Sequence, residues 1–325
     1  MRSNKVSNID LFTNQANDNF KKHVKTQSKQ ALDILDKIID WKQLIKPIEK
    51  SLLSERTNEP AGRRPFSLLV IVKCFILQSI YNLSDPRLEE EIADRRSFQI
   101  FLQIHSGDSI PDETTICRYR EMFARLGLDK LLFESFNKQL RAKNMILDRV
   151  TLVDATIKQA QAKPGSKRDK DAQFTKKRGK TYYGYKGHVG VDLGTEVIHS
   201  VEFTPANIHD SDMFDSTLHG KEKSVYADKG YANKSRRKEL ESKNVFCGIL
   251  EKGYRNHPLN KAQIATNKQL SKIRNIVERP FSFMKHVMGY ERCSYYDLRR
   301  NRFQFIINAT VHNMRKCLTL SLAIA

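Results

Sequence analysis

Val150-Thr151-Leu152-Val153-Asp154-Ala155-Thr156-Ile157 is the stretch on which the fold turns. It is β-branched and apolar, and reads as a buried strand that carries a single carboxylate, Asp154. The chain before it reads as helical throughout. Leu32, Leu35, Ile38 and Ile39 have helical spacing, and Arg63-Arg64-Pro65-Phe66 marks a break. An apolar helix from Ser67 to about Tyr81 follows, and Ser84-Asp85-Pro86 opens another. Residues 104–111 read as a loop, Asp112 as a cap for the helix that Gly127 ends, and 129–143 as a further amphipathic helix.

Beyond the strand the pattern mixes both structures. Residues 158–180 hold nine Lys/Arg against two Asp, a run that reads as a loop too charged to pack. Segments 182–191 and 196–203 alternate about Asp192-Leu193-Gly194-Thr195, a hairpin signal. A short helix follows Asp210, and Ser224-Val225-Tyr226-Ala227-Asp228 is a second buried strand stopped by Lys229-Gly230. A basic helix (234–243), a strand (245–250) and two long helices (259–288, 297–320) complete the chain. This order predicts an N-terminal all-helical domain followed by a mixed-sheet α/β or α+β domain. The division is read as 1–50 (arm and first helix), 51–145 (helical) and 146–325 (mixed-sheet, with C-terminal helices).

The 325 residues carry 57 Lys+Arg against 37 Asp+Glu, a net +20 that points to a polyanionic partner such as nucleic acid. No uninterrupted apolar run of about 18 residues exists, which excludes a plain membrane span. The N-terminus lacks the apolar stretch of a signal peptide, and a cytoplasmic protein is expected. Five scattered cysteines without a C-x-x-C pair argue against a disulfide framework or a zinc site.

Three acids stand out among the 37. Asp154 lies inside one apolar strand and Asp228 ends another, where an unpaired carboxylate costs several kcal/mol in order-of-magnitude terms. Glu278 shares a helical face with Arg274 and Lys285, and Pro280 should bend or restart that helix. Bland readings fit each acid alone: a strand-end Asp that caps a loop or pairs with a lysine, and a solvated Arg–Glu–Lys row. Together they form a set suited to hard divalent cations, which activate an attacking oxygen and stabilise a leaving one in phosphoryl transfer.

In the first half the segments Tyr81-Asn82-Leu83-Ser84-Asp85, Leu88-Glu89-Glu90, Asp94-Arg95-Arg96-Ser97-Phe98 and Ile110-Pro111-Asp112-Glu113-Thr114-Thr115-Ile116 carry a resemblance. In the second half it continues in Val153-Asp154-Ala155-Thr156, Gly184-Tyr185-Lys186-Gly187-His188 and Thr204-Pro205-Ala206-Asn207-Ile208-His209-Asp210. Tyr226-Ala227-Asp228-Lys229-Gly230-Tyr231 and Val277-Glu278-Arg279-Pro280-Phe281 close the ordered set. The chain resembles the bacterial insertion-sequence DDE transposases, in particular the insertion-sequence-five group. The resemblance implies a ribonuclease-H-like catalytic fold, Asp154, Asp228 and Glu278 as catalytic, metal-holding acids, and two Mg²⁺ ions with Mn²⁺ as a substitute. Related transposases carry a Tyr three residues before the Arg274 position, where this chain has Ser271. The short separation of Asp228 from Glu278 leaves no room for a large inserted β-domain.

The expected partners are terminal inverted repeats and target DNA, with a homodimer or higher oligomer in the DNA complex. Expected DNA-binding or orienting residues are Arg274, Lys285, Lys229, Lys186, Arg118, Arg120, Lys176, Lys177 and Arg178. Arg118 and Arg120 would belong to a helix-turn-helix at 112–126, against which an ordinary packed helix is the competing reading. Other readings of the whole chain are a nuclease on the same fold, an inactive or domesticated DNA-binding protein, and an RNA binder.

Overall fold

The computed structural model describes residues 26–55, 65–105, 107–177 and 179–324. They fall into two compact units, one up to Met122 and one from Phe123.

The first unit is helical: α1 (Gln27–Ile38), α2 (Trp41–Glu55), α3 (Leu68–Tyr81), α4 (Asp85–Asp94), α5 (Arg96–Leu102) and most of α6 (Glu113–Leu126). In α3 every residue from Ile71 to Ser79 is buried, as expected of a helix that is apolar all round. Its one charge, Lys73, is neutralised inside the unit by Asp36 at 2.6 Å and the Phe101 carbonyl at 2.7 Å. Asn82 ends α3 in the left-handed conformation, and Ser84 caps α4 with Pro86 in its first turn. Among the described residues no single helix is long and apolar enough to cross a membrane. The pair α3 and α4 reaches that length together but is bent by 102°.

The second unit holds a six-stranded mixed sheet: β1 (Val150–Gln159), β2 (Gln173–Lys177), β3 (Lys180–Asp192), β4 (Ile198–Pro205), β5 (Ser224–Ala227) and β6 (Phe246–Ile249). β3 lies antiparallel to both β1 and β4, β5 lies parallel to β1, and β6 parallel to β5. Three antiparallel strands continued by two parallel ones make the sheet ribonuclease-H-like. The Asp192 side chain builds the β3–β4 turn by accepting from Gly194 N (3.0 Å) and Thr195 N (3.1 Å).

Helices α7 (Leu128–Ala142) and α11 (Leu298–Ile324) cover one part of the sheet. Asn313 accepts from Ile198 N at 2.8 Å, and both Asn137 and Asn313 donate to Ile198 O, so the two helices are pinned to β4. Gly187 and Gly190 of β3 have no room for a side chain. A Cβ at Gly187 would enter the ring of Phe305, and one at Gly190 would meet the Thr217 carbonyl. Phe305 is itself fully buried, packed against Phe203 and Tyr290.

Helices α8 (Lys234–Ser242), α9 (Lys261–Arg274) and α10 (Glu278–His286) complete the unit. The expected long helix over 259–288 is interrupted by a 3₁₀ turn at Asn275–Val277, so Glu278 begins a new helix and Pro280 falls in its first turn. Residues 229–277 hold only α8, β6, α9 and 3₁₀ turns, without an inserted β-domain.

The basic run 158–180 is not a loop throughout. Lys158 belongs to β1 and is buried, its Nζ donating to the Tyr290 carbonyl; burial pushes its pKa down to about 8. Asp169 is buried against the Tyr185 hydroxyl, and Asp171 caps α11 by accepting from Leu298 N at 2.9 Å. Its two acids tie the run to the fold, and residues 173–177 then pair with β3.

Candidate active site

β1 and β5 are parallel neighbours in register, Val153 opposite Ala227. The next residue on each is an aspartate. Asp154 therefore lies beside Asp228, just past the carboxyl end of β5. A buried apolar cluster of Val153, Val225, Ala227, Ile249, Phe214 and Tyr231 underlies this edge and fixes the strand positions. Asp228 leaves the strand to cap the next turn, accepting from Lys229 N at 2.7 Å.

Glu278 reaches the same edge from α10, and Arg274 connects it. Arg274 Nη2 donates to Asp154 Oδ2 at 2.9 Å and to Glu278 Oε1 at 3.2 Å. Side-chain exposure is 15% for Arg274, 16% for Asp154 and 61% for Glu278. Burial pushes the Asp154 carboxyl above its ordinary range, opposed by the Arg274 charge and the Ala155 N–H. Arg274 is held protonated beside Asp154, Asp228 and Glu278 despite its own burial. The Tyr231 phenol is pushed up by burial and by the charges of Asp154, Asp210 and Asp228.

The predicted cationic residues divide sharply. Arg120 is 3% exposed and forks onto Asp85, with Nη1 at 2.8 Å from Oδ2, while Nη2 reaches Gln78 at 3.2 Å. It holds α6 to α3 and α4 and is closed to DNA, which corrects the helix-turn-helix expectation at that residue. Lys186 is also corrected: it is 8% exposed, donates to Ile208 O at 2.9 Å and pairs with Asp210 at 2.8 Å. Asp210 neutralises Lys186, and the His209 ring caps the turn that follows. Arg118, Lys176, Lys177 and Lys229 are exposed, and the charge of Lys177 reaches Asp154. Lys285 pairs with Glu291 at 3.1 Å. Arg178 lies outside the described residues.

The Lys186–Asp210 pair and the buried Lys158 escaped the sequence reading. For the first a signal existed, since both residues stand in the ordered motif segments with opposite charge. For Lys158 the signal was its place two residues beyond Thr156 on a strand read as ending at Ile157.

Among the described residues no three His, Cys, Asp or Glu side chains converge as a ready-made metal cage. The donor chemistry nevertheless fits a hard cation: Asp154, Asp228 and Glu278 offer only oxygens, and a guanidinium cation already sits between two of them. The mixed sheet, with two aspartates at adjacent strand ends, places the unit in the ribonuclease-H-like class. Residues 146–314 match the family described as "Transposase DDE domain", and residues 18–122 match "Transposase domain (DUF772)". The chain belongs to the transposase DDE family. In fold it is similar to a piggyBac transposase solved by cryo-EM as a synaptic complex with hairpin DNA. The identity is 10%, over 90% of this chain and 73% of that one, with a TM-score of 0.45.

Proposed function

We propose that this transposase binds the inverted-repeat ends of an insertion sequence, cleaves DNA there and joins the freed 3′-OH to target DNA. Membership of the insertion-sequence-five group and a cytoplasmic setting are part of the reading. The observation that carries it is the convergence of Asp154 and Glu278 on one guanidinium, with Asp228 on the neighbouring strand end.

Asp154, Asp228 and Glu278 would hold two divalent ions, Mg²⁺ in this reading. Such ions polarise the attacking oxygen and stabilise the leaving oxygen of an in-line displacement. The residues of the chain do the positioning. β1 and β5 fix two carboxylates through backbone register, and the turn before α10 presents the third. Arg274 holds Asp154 and Glu278 at a common distance and offsets their mutual repulsion. Exposed Lys177 and Lys229 place positive charge beside the acids, where a phosphodiester would lie. Arg274 N–H groups released from a carboxylate are suited to phosphate, because a guanidinium accepts either anion in the same planar geometry.

The test is cleavage and joining of labelled element ends by the purified protein with Mg²⁺. Asp154→Asn, Asp228→Asn and Glu278→Gln should each lower the rate by about 10³-fold or more, the loss of several kcal/mol of charge stabilisation. Substantial cleavage by any of the three would remove that acid from the site. Cleavage without joining would make the protein a nuclease.

A further inference from the structure

Helix α9 is a surface helix with a half-buried inner face. None of its 14 residues is fully buried, and its sequence KAQIATNKQLSKIR contains no acid. An ordinary surface helix of this length is held by an apolar stripe. This one is held mainly at its ends. At the start, Asn260 and Gln263 form a capping box, and Gln263 and Asn267 hydrogen-bond to Glu251. At the finish, Arg274 reaches Asp154 and Glu278.

The helix has two unlike faces. Gln263, Asn267, Leu270 and Arg274, spaced by three and four, are half-buried and face the unit. Opposite them, Lys261, Lys268 and Lys272 are exposed at offsets of seven and eleven, within an arc of about 40°. The stripe runs roughly 16 Å along the axis. Exposed Ala265 lies beside it, so a partner can approach the helix closely between Lys261 and Lys268.

We propose that this outer face is a docking surface for the sugar-phosphate backbone of duplex DNA, which α9 guides toward the acids at its far end. The inference rests on the reading of the chain as a DNA-cleaving enzyme. Charge selects the occupant: three lysines without a neighbouring acid on the helix fit a regular polyanion, and a phosphate backbone supplies one. Glutamine is nearly as good a helix former as lysine, so the stripe can be discharged without melting the helix.

The experiment measures binding of full-length protein to duplex DNA against salt, for wild type, K261Q/K268Q/K272Q and a control, K138Q/K221Q/K223Q, whose lysines are also exposed. Unchanged circular dichroism and melting establish that all three are folded. The α9 variant should lose about 2–3 from the slope of log affinity on log salt, equally on element ends and on random duplex. The control should lose less than about one. An α9 variant with the wild-type slope overturns this inference alone, as does a control that loses as much. A shallow wild-type slope overturns the DNA-cleaving reading with it. Structured RNA that competes as well as duplex DNA of equal charge overturns the choice of duplex.

Discussion

In the helical unit, Arg120 forks onto one carboxylate and one amide with its side chain 4% exposed, and Asp85 also accepts from that amide, Gln78 Nε2, at 2.6 Å. In the sheet unit, Arg274 divides one nitrogen between two carboxylates and keeps 15% exposure. Both are charge-assisted contacts of the same chemistry. The difference lies in the ratio of partners. Arg120 meets one carboxylate and one amide in a buried position, so the contact is structural and closed. At Arg274 a single cation faces Asp154 and Glu278, with Asp228 close enough to add its charge. That leaves carboxylate lone pairs over, most of them on the 61%-exposed Glu278. Carboxylate oxygens without a hydrogen-bonded cation can take a further one, and that opening separates a candidate site from a clamp.

The comparison can be broken by removing each arginine. Arg120→Ala leaves Asp85 without its charge partner in a largely buried position and should cost about 3–5 kcal/mol in urea unfolding. A loss below about 1 kcal/mol would show that Arg120 is not the clamp described.

The next effect concerns a carboxylate without a guanidinium fork. Asp129 of α7 is fully buried, and burial pushes its pKa up to about 6, with Arg302 opposing. A folded-state pKa above the unfolded value means that the native protein binds more protons. Stability should therefore fall as pH rises from about 4 to about 6, by up to about 3 kcal/mol. Asp129→Asn should flatten that slope, as read by melting across the same range. An unchanged slope would reject the assignment to Asp129.

The smallest effect is expected at the site itself. Arg274→Ala should cost about 2 kcal/mol in urea unfolding, because Asp154 is only 16% exposed and loses its charge partner while Glu278 stays in water. Cleavage should fall about 10–100-fold, and the Mg²⁺ concentration needed for half-maximal rate should shift. A large drop in melting temperature with unaltered Mg²⁺ dependence would make Arg274 a clamp of the Arg120 kind.

Much of this is legible in the sequence. The two strand-end aspartates could be read because β-branched runs place a carboxylate where water is scarce, and Pro280 announced the break that frees Glu278. Arg120 misled because it was judged by charge. Its spacing told otherwise: Ile116, Arg120 and Phe123 fall on one helical stripe, and all three are buried. The run 158–180 misled in the same way, since its net charge hid Asp169 and Asp171, the two residues that tie it down. Pairs such as Lys186 with Asp210 leave only opposite charges in separate motif segments as a signal, because their contact depends on where a strand and a turn meet.

One further consequence follows from the packing of β3. Gly187 and Gly190 leave no space for a Cβ on either face of that strand. Every single-base missense change in a glycine codon introduces at least that atom. A codon change at either position should therefore inactivate the protein through its packing, with Asp154, Asp228 and Glu278 all still in place.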